Sequence, residues 1–307
     1  MFEAFQFGPV IIWMRVVFLM LAIVMSAEFF FRLSKSAGLS LQSLKDHAWL
    51  HALAFFLGGR ILAVIANYPS YVSNLLRIVD LRDGGFSFIG GALGVGTVIF
   101  FTTRNQRTTF LQWMDVLLPA ATFGLFFDWF GMFLSAQAYG KPANVFWAVT
   151  LNTYDVRYTV PIHPVQMYYA LFYLALTFSL LLIRKYSRRA GSETLVGIIA
   201  ASIGVFLFEF FRGDVGIPVF AKLPDFAFLA CLIGSLGVLA MLEERLTQRV
   251  NTLYGVTIGV LTLAYVFSRS WIDFPQYQLR FSQVLAVLAL VAAVVYVVVH
   301  RWKYPHL

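Results

Sequence analysis

Apolar residues run through this chain in long blocks, broken by short polar joints. A helix needs about 20 apolar residues to cross the hydrocarbon layer of a bilayer. Blocks of that order recur near 9–31, 48–67, 86–103, 111–134, 164–183, 194–211, 224–242, 252–268 and 281–299. They predict nine spans, good to about one because the eighth is short and the fourth and sixth carry polar residues. The joint at 136–162 is too long for a plain connection. It alternates aromatic and polar residues in VFWAV and YDVRYTV, which predicts a small β-rich arm or an interfacial flap on the outer face. Tyr139, Trp147, Tyr154 and Tyr158 of this arm suit the headgroup level.

Composition supports the pattern. Of 307 residues, 60% are hydrophobic and 12% charged, whereas soluble domains carry roughly 25% charged residues. Lipid is the solvent that such a chain requires. Thirteen lysines and arginines fall on one side of the predicted spans and eight on the other, with Arg15 and Arg60 inside spans. The richer side includes RKYSRR at 184–189, so the positive-inside rule predicts an outer N-terminus and an inner C-terminus. The formal charge of +8 is then a topology and anionic-lipid signal, and no segment reads as a nucleic-acid domain. The single cysteine, Cys231, lies in an apolar run and reads as a small buried hydrophobe. The N-terminus lacks a basic leader, so the first span is not expected to be a cleaved signal peptide.

Polar groups within spans are costly and need a reason. Arg15 and Glu28 fall in the first span, Arg60 in the second, Asp115 and Asp128 in the fourth and Glu209 in the sixth, with Arg212 three residues further. Two readings stand: ion pairs that set helix registry, or a polar cavity for a lipid headgroup or other anion. Glycines cluster in FFLGGR at 55–60, DGG at 83–85 and IGGALGVG at 89–96. They permit close helix approach, or, at Gly90 and Gly91, free N–H groups that face an anion. His163 stands between Pro161 and Pro164 at the expected start of the fifth span. A neutral imidazole at a helix N-terminus suits a base or a hydrogen-bond donor. His47 and His51 are one helical turn apart, but no third ligand accompanies them, so no metal and no other cofactor is expected.

In order along the chain stand FGPVIIW at 7–13, FLGGR at 56–60, DGGFSFIGGALG at 83–94, DVLLPAATFG at 115–124, HPVQMYYAL at 163–171 and FEFFR at 208–212. Together these resemble the prolipoprotein diacylglyceryl transferase family, over about residues 7–245. The resemblance implies an all-α polytopic protein of the bacterial cytoplasmic membrane. It implies a seven-span body over 1–246, with 247–307 as a two-span C-terminal extension. It also implies phosphatidylglycerol-like lipid and a lipoprotein signal segment as ligands; the last two spans offer a surface for a partner membrane protein. In the family's reaction a cysteine sulfur attacks the glycerol carbon and glycerol phosphate leaves. That calls for a base to make the thiolate, donors to hold the phosphate and alignment of two lipid-soluble substrates.

Carried over residue by residue, Arg60, Gly90, Gly91, Gln166, Tyr168, Glu209 and Arg212 match, and with Arg15 they form the expected lipid- and phosphate-binding set. His163 is the candidate base. Seven positions depart from the family pattern. Met14 replaces a tyrosine, Ile89 the histidine of Phe-His-Gly-Gly, Trp129 an arginine and Met132 an asparagine. Gln137 and Tyr169 replace glutamates, and Val205 an arginine. Arg15 and Asp128 are new charges where the family has glycine. These departures give two expectations. One is a non-catalytic relative that binds lipid, lipoprotein or a partner; the other is a diacylglyceryl transferase or related lipid transferase with a rebuilt site.

Overall fold

The computed structural model describes residues 4–7, 10–67, 71, 74–80, 86–103, 107–151, 153, 156–187, 189–214, 223–242, 247–268 and 279–303. Two short strands, β1 (Ala4–Phe7) and β2 (Val10–Trp13), form an antiparallel hairpin, and the rest of the regular structure is helical. The long helices are α1 (Met14–Ser36), α2 (Ala48–Ala66), α3 (Phe88–Thr103), α4 (Arg107–Leu134), α5 (Val165–Tyr186), α6 (Ser192–Phe208), α7 (Leu223–Leu242), α8 (Gln248–Ser268) and α9 (Phe281–Lys303). Six described helices are long and apolar enough to cross a membrane, and α3 and α7 hold shorter apolar stretches. The first span therefore starts at Met14 and not at residue 9. The β-branched residues of VIIW pair with the preceding strand instead.

Contacts divide the chain into two compact units, Met1–Ile217 and Pro218–Leu307. In the second, α7 lies along α9 so closely that a Cβ on Gly237 would sit 2.3 Å from Val295 Cγ1. Tyr265 of α8 stacks flat on Phe228 of α7 at 4.3 Å and donates to the buried Asp225 at 2.6 Å. The packing thus groups the seventh predicted span with the last two, whereas a boundary at 246 follows the reach of the sequence motifs. Cys231 is exposed and not buried, on the apolar surface of α7.

Three helix contacts organise the first unit. Helices α1 and α4 run antiparallel, with Phe18 on Phe130 toward one end and Phe30 on Trp113 toward the other. Between them Ser26 Oγ donates to the Ala120 carbonyl at 2.8 Å. Helices α2 and α3 cross through glycine: a Cβ on Gly58 would lie 2.3 Å from Gly90 O, and one on Gly94 2.1 Å from Ala54 O. Small residues at such a crossing let backbones approach and gain dispersion contact. Replacing Gly58 by alanine should cost about 1–3 kcal/mol through forced separation of the pair. The check is the thermal midpoint of the purified protein; an unchanged midpoint would mean that the crossing yields freely.

The third contact sets α5 between α4 and α6. Val165, Tyr169, Tyr173, Leu176 and Leu180 recur at helical spacing and form its buried face. Leu118, Leu125 and Trp129 of α4 and Ala200, Ala201 and Val205 of α6 pack on that face. Buried Thr122 and Thr177 satisfy each other at 2.8 Å. At the other end of these helices, buried Asp115 accepts from Gly191 N, Thr194 N (2.8 Å) and Thr194 Oγ1 (2.7 Å). It caps α6 from another helix, at amides that the helix cannot pair itself. Arg184 adds bonds to the Asp115 carbonyl (2.7 Å) and to Glu193 (2.9 Å). Asp115 is thus a structural group. His51 Nδ1 lies 2.8 Å from the His47 carbonyl, so this histidine binds the preceding turn.

Candidate functional site

The site is built where α4 ends and α5 begins. Past Leu134 the chain turns sharply, with Ala136 at φ 56° and Ala138 at φ 51°. That left-handed region is uncommon for alanine and marks a segment held by its surroundings. The arm at 136–162 then returns on itself by isolated bridges, Pro142 and Val149 both pairing with Ile162. Ala136, Tyr139, Leu151, Val156 and Ile162 make a small core, with Tyr158 packed against it. Tyr139 and Tyr158 consequently serve that core and not the headgroup level, because the arm is large enough to bury them. Tyr154 and the DGG stretch at 83–85 lie outside the described residues.

The arm clasps the end of α6. Lys141 N bonds to Phe211 O and Gly213 N to Tyr139 O, each at 2.8 Å, while His163 N bonds to Lys141 O at 3.0 Å. Gly140 is where the strands of this clasp meet: a Cβ there would lie 2.1 Å from His163 O. No side chain fits.

This clasp brings His163 beside the first turn of α5. Its Nδ1 is 3.0 Å from Tyr168 Oη, and its ring meets Phe211 at 5.0 Å. Trp147 Nε1 donates to the same Tyr168 oxygen at 2.6 Å. Indole can only donate, so the phenol must accept from Trp147 and share its remaining lone pair or its hydrogen with His163. Partial burial lowers the His163 pKa below its ordinary 6.5, because desolvation disfavours the imidazolium. Three residues after His163, buried Gln166 donates through Nε2 to the Gln137 carbonyl at 2.6 Å, and its Oε1 has no protein partner among the described residues.

Next to it lies a buried ionic group. Tyr169 donates to Glu209 Oε1 at 3.0 Å; Arg212 Nη1 reaches the same oxygen at 2.8 Å and also pairs with Asp214. One cation thus meets two carboxylates. Burying Glu209 without Arg212 would leave an unbalanced charge in low dielectric. On the other side Tyr169 stacks on Trp129, ring centroids 3.9 Å apart and planes within 12°. Val205 joins the same apolar cluster.

Sequence-expected residues therefore separate into two sets. His163, Gln166, Tyr168, Glu209 and Arg212 converge, together with the departed positions Trp129, Gln137, Tyr169 and Val205; Met132 accepts from Gln137 N at 3.0 Å. The others sit elsewhere. Arg15 is paired with Asp128 across α1 and α4, which selects registry over an open polar cavity for these two charges. Glu28 pairs with Arg32 on an exposed helix face. Arg60 donates to the carbonyls of Arg77, Ile78 and Asp80 and lies over Tyr71, so it binds a loop. Gly90 and Gly91 direct their N–H groups to Ser87. Capped in this way, they serve the α2–α3 crossing and do not face an anion. Ile89 is exposed near the start of α3, and Met14 is the first residue of α1. Two contributors escaped the sequence reading. Trp147 looked like an interfacial aromatic, and Asp214 lies in a loop given no role; the acid two residues after Arg212 was the available signal.

The family model for prolipoprotein diacylglyceryl transferase matches residues 3–242. A phosphatidylglycerol–prolipoprotein diacylglyceryl transferase from Azospirillum brasilense is 32% identical over 219 residues, 68% of this chain and 80% of that protein. The protein of the same name from Pseudoalteromonas translucida is 30% identical over 223 residues, 70% and 81% of the two chains. That from Idiomarina loihiensis is 30% identical over 175 residues, 56% of this chain and 65% of its own length. The apolar helices, the order of the motifs and a match over most of the chain agree: this is an integral, multi-pass membrane protein that belongs to the prolipoprotein diacylglyceryl transferase family.

Proposed function

We propose that the chain is a lipid transferase of the bacterial cytoplasmic membrane, acting on a phosphatidylglycerol-like lipid and a lipoprotein cysteine through a rebuilt site. The observation that carries this reading is the line Trp147–Tyr168–His163 at the mouth of α5. For His163 to act as a base, Nδ1–H donates to Tyr168 and Nε2 holds the free lone pair. Tyr168 accepts from both neighbours, and its two lone pairs suffice. Nε2 takes the proton of the acceptor thiol, since the thiolate is the nucleophile. The sulfur then bonds to the terminal glycerol carbon of the diacylglycerol moiety. The carbon–oxygen bond to phosphate breaks, and glycerol phosphate departs with the bonding pair. Arg212, in the ionic group beside this line, is the candidate cation for that phosphate. Asp214 is its more exposed partner, at 21% against 2% for Glu209, and is the one a phosphate would displace. The names of the relatives support the same substrates.

The test incubates purified protein with phosphatidylglycerol and a lipobox peptide. A thioether-linked diacylglyceryl product, dependent on protein, supports the reading. Its absence, with lipid still co-purifying, favours a second: a non-catalytic lipid-binding relative whose last two helices offer a partner surface. The stacking of Trp129 on Tyr169 beside Val205 favours that alternative, because apolar contact occupies positions where the family resemblance implies arginines.

A pH profile tests the base directly. Burial depresses the His163 pKa, so its proton-accepting neutral form persists below pH 6.5. The acidic limb of transfer should have its midpoint below 6.5. A limb at 7 or above, on the order of half a pH unit higher, would assign the titration to another group.

A further inference from the structure

The chemistry above uses the tip of the arm only through the Trp147 N–H. Phe146 is 95% exposed and Trp147 47% exposed, and their rings meet edge to face at 4.4 Å. Many apolar residues are exposed on the spanning helices, where lipid covers them. This pair is on the arm instead, and what matters is the level at which it is held. Trp147 is bonded to Tyr168, in the first turn of a helix long and apolar enough to cross a membrane. At 1.5 Å of rise per residue, Tyr168 lies about 5 Å beyond the start of that helix. The bond therefore holds the indole level with the membrane boundary, where tryptophan is favoured. The backbone around the tip is itself fixed: Ala148 N bonds to Val145 O, and Val149 and Ile162 exchange two bonds, all at 3.0 Å. Exposed Lys141 of the same arm adds a cation suited to anionic headgroups.

We propose that the Phe146–Trp147 tip is a lipid-binding surface, seated in the headgroup and upper acyl layer and pinned at that depth by the Trp147–Tyr168 bond. It stands whether or not His163 acts as a base. An anchored tip holds the arm, and with it the clasp around Gly140, against the bilayer from which a lipid substrate would enter.

The experiment uses the full chain in vesicles of phosphatidylethanolamine and phosphatidylglycerol. Cys231→Ser removes the single cysteine. Phe146→Cys then carries a polarity-sensitive fluorophore, and Arg157→Cys, in the same arm, is the control. A nitroxide on a shallow acyl carbon should quench the label at 146 about threefold more than that at 157, and aqueous iodide should do the reverse. The difference should survive dilution to less than one chain per vesicle. Equal iodide access at both positions overturns the proposal, as does lipid protection that disappears on dilution, which would mean that a second copy covers the tip. Adding Trp147→Phe keeps a ring but removes the N–H, and should reduce the difference by about half. No change would overturn the pin. Transfer activity is not the readout, so these outcomes are independent of the catalytic reading.

Discussion

Replacing His163 by alanine is expected to lower lipid transfer by roughly 10²–10⁴-fold, the usual contribution of a positioned general base. The substitution spares the His163 N–H, which bonds to Lys141 O in the clasp, so the fold should persist. Tyr168→Phe should cost less. It removes the acceptor for both Trp147 and His163, and the loss of a neutral hydrogen bond of about 0.5–1.5 kcal/mol corresponds to roughly two- to tenfold. The ordering of the two variants is informative. If Tyr168→Phe is the more damaging, the phenol touches substrate and His163 is only its neighbour. If His163→Ala leaves a measurable rate unchanged, the base lies elsewhere and the mechanism above fails. Both variants need their thermal midpoints measured beside the rate, because a shared fall in stability would mimic a loss of catalysis.

The largest expected effect on stability lies at the opposite end of α5, far from any proposed chemistry. Asp115→Ala should destabilise the protein by about 3–5 kcal/mol, since three donors lose one shared acceptor and each such loss costs about 1–3 kcal/mol. The amides of Gly191 and Thr194 and the Thr194 hydroxyl lose their acceptor together. Glu193 remains beside Arg184, so the loss is borne mostly by the N-terminus of α6. A fall of about 10 °C in thermal midpoint corresponds to this range. Asp115→Asn keeps one carbonyl acceptor and should recover part of the loss. A midpoint within about 2 °C of the parent protein would mean that water replaces the carboxylate easily. This aspartate matches the family pattern and lies within a span, two features that invite a catalytic reading. Its contacts assign it to the architecture.

Much of the architecture was legible in the chain because lipid imposes a simple requirement. Every backbone polar group in the hydrocarbon must be bonded internally, so long apolar runs can only be helices. The start of the first span was read too early for a local reason: Val10, Ile11 and Ile12 are apolar enough for a span but pair as a strand. Periodicity could not make that distinction. For the glycines, two roles with the same sequence signature were in competition. At Gly90 the backbone of Gly58 lies too close for a ligand to intervene, and Ser87 already accepts from the N–H.

The sequence by itself determined that this is a polytopic membrane protein, which family it resembles, and which family positions have changed. Those properties follow from residue identity and order alone. Only the tertiary structure decided where each charge is balanced. Arg15 finds Asp128, 113 positions further along the chain, and Arg212 holds Glu209 and Asp214. Trp129, Tyr169 and Val205, far apart along the chain, meet in one apolar cluster. The physical reason is range: hydropathy acts residue by residue, whereas neutralising a buried charge depends on which partner arrives within a few ångströms.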